Sequence, residues 1–223
     1  MDRKKWQGMM ATIVLAGAAL WPVGPIWAES ERITVLIASD LSEWEEKSFQ
    51  GSTEYSVVDS GTGPAVRAFS NGSASGLFRK VNVDLHRTPF LHWSWRIENV
   101  LDNDQEWSKA GDDYAARIYV VFSGGALFWR TRALNYVWSS HQEVGSVWPN
   151  AYTSNAIMIA QQSGDGLSGR WVTESRNVLA DAQRLLGSRY THLDAIAIMT
   201  DTDDTGQQAV AYYGDIYFSG EHP

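Results

Sequence analysis

Leu91-His92-Trp93-Ser94-Trp95-Arg96-Ile97-Glu98 alternates without a break. Leu91, Trp93, Trp95 and Ile97 share one face of an extended chain, and His92, Ser94, Arg96 and Glu98 share the other. A segment reads this way when it is a strand with one side on an apolar core and the other toward water or a ligand. Ala116, Ile118, Val120 and Phe122 repeat the apolar face further along, with Arg117 and Tyr119 opposite. Trp93 and Trp95 are therefore assigned to the core, where large indoles bury the most area.

Outward from this strand, β-branched and aromatic runs recur at 33–37, 55–59, 64–70, 76–83, 115–122, 133–138, 155–160, 171–177, 195–200 and 210–218. Turn-forming clusters such as Asp59-Ser60-Gly61-Thr62-Gly63 and Ser163-Gly164-Asp165-Gly166 separate them. Many short strands with polar turns predict an all-β domain, a two-sheet antiparallel β-sandwich of the jelly-roll or galactose-binding-like kind. One short helix is expected over 178–186, stopped by Gly187. No repeat or low-complexity linker divides the chain, so 29–223 reads as a single domain.

Residues 1–28 have the order of an export signal: Arg3, Lys4 and Lys5, an apolar run from Met9 to Leu20, then Ala28 ahead of an acidic stretch. The run is about a dozen residues against the roughly 20 that a membrane span needs, so cleavage is expected and not a transmembrane anchor. A periplasmic or secreted location follows. Without those residues the chain carries 15 Lys and Arg against 25 Asp and Glu. Such an acidic surface makes nucleic acid a poor partner. Cysteine is absent, which removes thiol chemistry and leaves stability to the core.

Several constellations have chemical potential. Asp201, Asp203 and Asp204 fall in Thr200-Asp-Thr-Asp-Asp-Thr-Gly206, on what the pattern predicts to be a hairpin turn. Three carboxylates in four residues suit a structural calcium ion, although Asp, Thr and Gly are also ordinary turn formers. Asp112 and Asp113 stand at the entrance of the strand carrying Arg117, and adjacent residues on an extended chain point apart, so the two are expected to do different jobs. Arg96, Glu98, Arg117, Glu174 and Arg176 lie on predicted strands, where charge must be solvated or paired. They form either a cross-strand ion-pair ladder or a ligand-binding strip on one sheet face. Flat rings suited to sugars come from Trp107, Trp129, Tyr136, Trp138, Trp148 and Tyr152; Trp148 sits in a turn with Asn150 and Asn155 as amide partners.

The blocks 90–98, 109–122, 148–155, 200–206 and 213–218 resemble a bacterial family of exported proteins grouped as a domain of unknown function, over about residues 35 to 219. The resemblance implies no reaction. More loosely, the closing strand, polar turn and strand, ending Gly214-Asp215-Ile216-Tyr217-Phe218, is similar to jelly-roll carbohydrate-binding modules, a likeness of fold that does not establish function.

The expectation is a noncatalytic exported domain that binds a glycan or other polar envelope ligand. Its binding residues are expected among Arg96, Arg117, Glu174, Arg176, Trp148, Asn150, Asn155, Asp112 and Asp113. The alternatives are a glycoside hydrolase or polysaccharide lyase using Glu98 and Glu174, or His92 and a tyrosine such as Tyr119, as acid and base, and an envelope structural or assembly protein. Nucleophile elbows, phosphate loops and paired-histidine helices are missing from the sequence.

Overall fold

The structure, a computed structural model, describes residues 32–124 and 130–221. The expected signal at 1–28, Trp129 and His222 lie outside the described residues. Two sheets face each other. The six-stranded sheet holds β1 (Arg32–Leu36), β3 (Glu54–Asp59), β4 (Pro64–Asn71), β6 (Phe90–Ile97), β11 (Val172–Asn177) and β13 (Gln208–Ser219). The seven-stranded sheet runs β2 (Glu45–Gln50), β5 (Ala74–Asp84), β12 (His192–Asp201), β7 (Ala116–Phe122), β8 (Arg132–Ser139), β10 (Ala156–Ser163) and β9 (Val147–Pro149). From β4 to β7, and again from β10 to β13, each successive strand changes sheet, as a jelly roll requires. Among the described residues every strand pairing is antiparallel except β8 with β10.

The alternation in β6 has its expected outcome. Leu91, Trp93, Trp95 and Ile97 are all buried. Trp93 meets Trp95 edge-on at 5.4 Å and Tyr136 at 5.6 Å, and Trp95 meets Trp138 at 5.8 Å. The rings of β6 therefore interlock with those of β8 across the sandwich. Neither indole N–H of the pair has a hydrogen-bond partner among the described residues, so area removed from water favours their burial. Ala116, Ile118, Val120 and Phe122 supply the facing layer from β7.

The helix α1 (Val178–Leu185) begins where the Asn177 side chain accepts the Ala180 N–H at 2.9 Å. Beyond its end Gly187 takes φ +108°, a conformation that suits glycine. No described helix is long and apolar enough to cross a membrane.

Three details differ from the sequence reading. β2 carries no alternating pattern and is exposed along its whole length, because it is an edge strand bonded only to β5. Trp148 and Pro149, read as part of a turn, belong to the three-residue edge strand β9, where proline is tolerated. The 202–207 segment, expected to close a hairpin, carries the chain from one sheet to the other, since β12 and β13 lie in different sheets.

Candidate functional site

The outer face of the seven-stranded sheet carries a cleft of about 460 Å³. Phe49 of β2 and Tyr152 of the β9–β10 loop are exposed and contribute aromatic surface, with Thr153 beside Tyr152. Arg117, Tyr119, Met199 and Asp201 come from β7 and β12, and loops add Asp112, Asn150, Asp203 and Asp204. Strand alternation aims Arg117 away from the sandwich core, opposite Ile118. It is nevertheless only 2% exposed, because the loops close over it.

Arg117 organises this site. Its Nε donates to Asp201 Oδ1 at 2.9 Å and its second terminal nitrogen pairs with Asp201 Oδ2. The same guanidinium donates to the Asp112 carbonyl at 2.7 Å and to the Tyr119 hydroxyl at 2.9 Å, and it lies 4.7 Å from the Tyr114 ring centroid. A planar fork with several donors can serve all these partners at once, which an ammonium cannot.

The loop that delivers Asp112 and Asp113 is shaped by Gly111. A Cβ there would come within 2.6 Å of the Gln105 carbonyl oxygen, so only glycine lets this turn tuck in. Asn103 donates to the Gly111 carbonyl at 2.8 Å and fixes it. The two aspartates do different jobs, although Asp112 is not extended as the sequence reading assumed, with φ −76° and ψ 40°. Asp112 accepts from Asn150 Nδ2 at 2.6 Å and stands 4.0 Å from Arg117. Asp113, fully buried, accepts the backbone N–H groups of Asp204 at 3.3 Å and Thr205 at 2.6 Å, and so ties the 202–207 segment down.

Five carboxylates, Asp112, Asp113, Asp201, Asp203 and Asp204, thus gather around one guanidinium. Burial, with the charges of Asp113 and Asp204 adding to it, pushes Asp203 up to about 6. Burial also raises Asp112, against the pull of Arg117, and raises Asp204 despite its bond from the Tyr152 hydroxyl at 2.5 Å. Asp113, Asp201 and Asp203 each offer an oxygen within 4.8 Å of the others.

Sequence reasoning placed Arg117, Asp112, Asp113, Asn150, Tyr152, Asp201, Asp203 and Asp204 among its candidates, and the structure brings these together. It disperses the rest. The expected charged strip does not form: Arg96 and Glu98 pair at 2.6 Å on the outer face of the other sheet, with Arg96 4.1 Å from the Tyr212 ring centroid. Glu174 lies opposite Trp93 in the β11–β6 register, so it points between the sheets, where Gln161 and Gln162 each donate to it at 2.7 Å. Arg176 shares that inner face and binds Asp181 of α1. Glu98 and Glu174 are therefore on opposite faces of one sheet and cannot flank a single sugar. His92 is buried, stacked 4.7 Å from Tyr217 with Nε2 2.8 Å from Ser219 Oγ.

Trp148 was expected beside a ligand. It turns instead onto Tyr114, donating to its hydroxyl at 3.3 Å, and so braces the ring beneath Arg117. Asn155 shapes the loop, its backbone N–H reaching Thr153 Oγ1 at 3.1 Å and its carbonyl accepting from Ala133. Tyr136 and Trp138 are core residues, while Trp107 is 61% exposed away from the cleft lining. Phe49, Gln50 and Met199 were missed. An aromatic ring in an otherwise charged and polar run, Glu45-Glu-Lys-Ser-Phe-Gln50, was the available signal for the first.

Among solved structures, the chain is similar to a family 11 carbohydrate-binding module from Clostridium thermocellum, solved in complex with a beta-1,3-1,4-mixed-linked tetrasaccharide. Identity is 12%, coverage is 87% of this chain and 99% of that one, and the TM-score is 0.48. It is also similar to the xyloglucanase domain of NopAA, a type three effector from Sinorhizobium fredii, in complex with cellobiose, at 8% identity, 79% and 92% coverage and a TM-score of 0.43. No curated protein matches the chain. The family model described as "Protein of unknown function (DUF3047)" matches residues 42–217, and the chain belongs to that family.

Proposed function

We propose that the protein is an exported, noncatalytic binding domain whose cleft on the seven-stranded sheet takes a neutral polyhydroxylated ligand, a short glycan. The observation that supports this is the pairing of two exposed rings, Phe49 and Tyr152, with the partly exposed carboxylates of Asp203 and Asp204 in the same cleft. Rings cover the apolar C–H faces of a sugar, and the carboxylates accept hydrogen bonds from its hydroxyls. The carboxylates disfavour an anionic ligand. Export is supported by the order of charge, apolar run and small residue in 1–28. The noncatalytic reading is supported by the separation of Glu98 from Glu174.

The test is a glycan array followed by calorimetry on the best hit. Tyr152→Ala and Phe49→Ala are expected to weaken binding about tenfold or more each, a loss of about 1.4 kcal/mol. Silence across neutral polysaccharides and envelope glycans, or two variants that bind like the parent, would refute the proposal; product released from the bound glycan would show an enzyme instead.

A further inference from the structure

We propose that the protein has a second binding site, a groove on the outer face of the six-stranded sheet that takes a saccharide bearing a carboxylate, a uronate. The groove has a volume of about 580 Å³ and lies on the opposite side of the sandwich from the acidic cleft. Small-ligand sites occupy about 300–1,000 Å³. Strand register makes the floor. Thr173 of β11 stands opposite Ser94 of β6, and β13 adds Gly214 at its irregularity, where a Cβ would collide with Ser94 Oγ. This row of small residues lies between two rows of large ones, His92 with Tyr217 on one side and Arg96 with Tyr212 on the other, and Trp171 closes the second row. Loops raise the walls: Asp215 Oδ1 accepts the Ala38 N–H at 2.8 Å and holds the turn after β1, and Thr62 stands on the turn after β3.

Arg32 points to the ligand. It is exposed and lines the groove, with its guanidinium carbon 3.6 Å from the Tyr217 ring centroid. β1 and β6 flank β13 here, so Tyr217 is held between Arg32 and the stacked His92 ring. Stacking fixes the plane of a guanidinium and leaves its N–H edges free, and no carboxylate among the described residues pairs with Arg32. Such a fork takes both oxygens of a carboxylate at once. Charge separates the two sites. With histidine counted neutral, the groove balances Arg32 against Asp215, whereas the acidic cleft sets Arg117 against four aspartates in its lining. An anion that the cleft repels is therefore admitted here. The Ser94 and Thr173 hydroxyls engage no other side chain among the described residues, and each can both donate to and accept from the hydroxyls of a sugar. Half-buried Trp171 offers a flat ring for the sugar's C–H face. An acidic peptide would engage the guanidinium but has no ring of hydroxyls to meet the floor.

The full chain is titrated calorimetrically with trigalacturonate, with cellotriose as the neutral counterpart and triglutamate peptide as the other source of carboxylate. One trigalacturonate per chain is expected, with a Kd of about 1 mM or tighter. Binding should weaken as salt is raised from about 50 to 300 mM. Arg32→Gln, at an exposed strand end, is expected to keep the parent circular dichroism and to lose at least about tenfold in affinity. Tyr152→Ala, in the acidic cleft, is expected to bind trigalacturonate as the parent does, which separates this groove from the glycan site proposed there. Absence of saturation by about 10 mM trigalacturonate would overturn the proposal. So would an Arg32→Gln protein that binds like the parent, or an equal loss in Tyr152→Ala. Triglutamate bound as tightly as trigalacturonate, or cellotriose binding that Arg32→Gln weakens equally, would overturn it as well.

Discussion

Replacing Arg117 by methionine tests whether the guanidinium is what allows five carboxylates to coexist under the loops. The side chain is nearly inaccessible and makes at least four polar contacts, two of them to Asp201. Methionine fills most of the volume but leaves the Asp201 carboxylate, itself 2% exposed, with the Tyr114 N–H at 3.3 Å as its one remaining partner among the described residues. Breaking a buried ion pair by removing one partner costs about 3–5 kcal/mol, because the surviving charge is left without compensation. For a domain of this size that corresponds to a fall of about 6–20 °C in melting temperature. The assay is urea unfolding followed by tryptophan fluorescence, with chelator present so that no bound ion masks the loss. The double variant Arg117→Met/Asp201→Asn removes the orphan charge and is expected to recover about 2 kcal/mol relative to Arg117→Met. A single variant within about 1 kcal/mol of the parent, or a double variant no better than the single, would refute the reasoning.

Two further outcomes concern residues away from the cleft. Gly214→Ala puts a Cβ against Ser94 Oγ at the irregularity in β13, for an expected cost of about 1–3 kcal/mol; Ser94→Ala in the same chain removes the clash, since Ser94 Cβ stands 3.6 Å off, and the urea midpoint should recover. Glu106 is fully buried, with its carboxylate accepting from Ser139 Oγ at 2.5 Å and the Ser140 N–H at 2.7 Å, and burial holds its pKa above the ordinary glutamate value. The folded state therefore keeps this proton longer than the unfolded chain does, and its share of stability falls as pH rises from the ordinary value through the folded one. Glu106→Gln should flatten that slope in denaturation series run from about pH 4 to 8; parallel slopes for the two proteins would contradict it.

The face of each strand that meets the core was readable wherever one side is apolar and the other polar, as in β6 and β7. The same rule could not say which polar faces end up together. Glu174 and Arg176 share a face with Val172, and only the pairing of Glu174 with Trp93 shows that this face is the inner one. Arg96, on a neighbouring strand with similar composition, points the other way. Burial of charge between sheets is legible only once partners such as Gln161, Gln162 and Asp181 are known, and they come from other elements. β2 and β9 escaped because edge strands are selected against the regular apolar pattern: charge, proline and short length keep other chains from pairing with them. The cleft was legible by halves. Its acids and Arg117 stood out as unusual residues, whereas Phe49 entered from one of those unmarked edges.

The long strand β13 changes neighbours partway along. Residues 208–213 lie against β4, residues 216–219 lie against β1, and β6 follows the other side from 211 to 219. Arg32 therefore meets Ser219, and the sheet that carries half of the tryptophan core cannot be assembled from its first five strands alone. Closing loops of that length before any pairing energy is returned is slow, and domains dominated by such distant contacts fold over about milliseconds to seconds. Until β13 docks, β1, β4 and β6 each present an unbonded edge, so the interval between collapse and final strand insertion is when this protein is most exposed to misassociation with other chains.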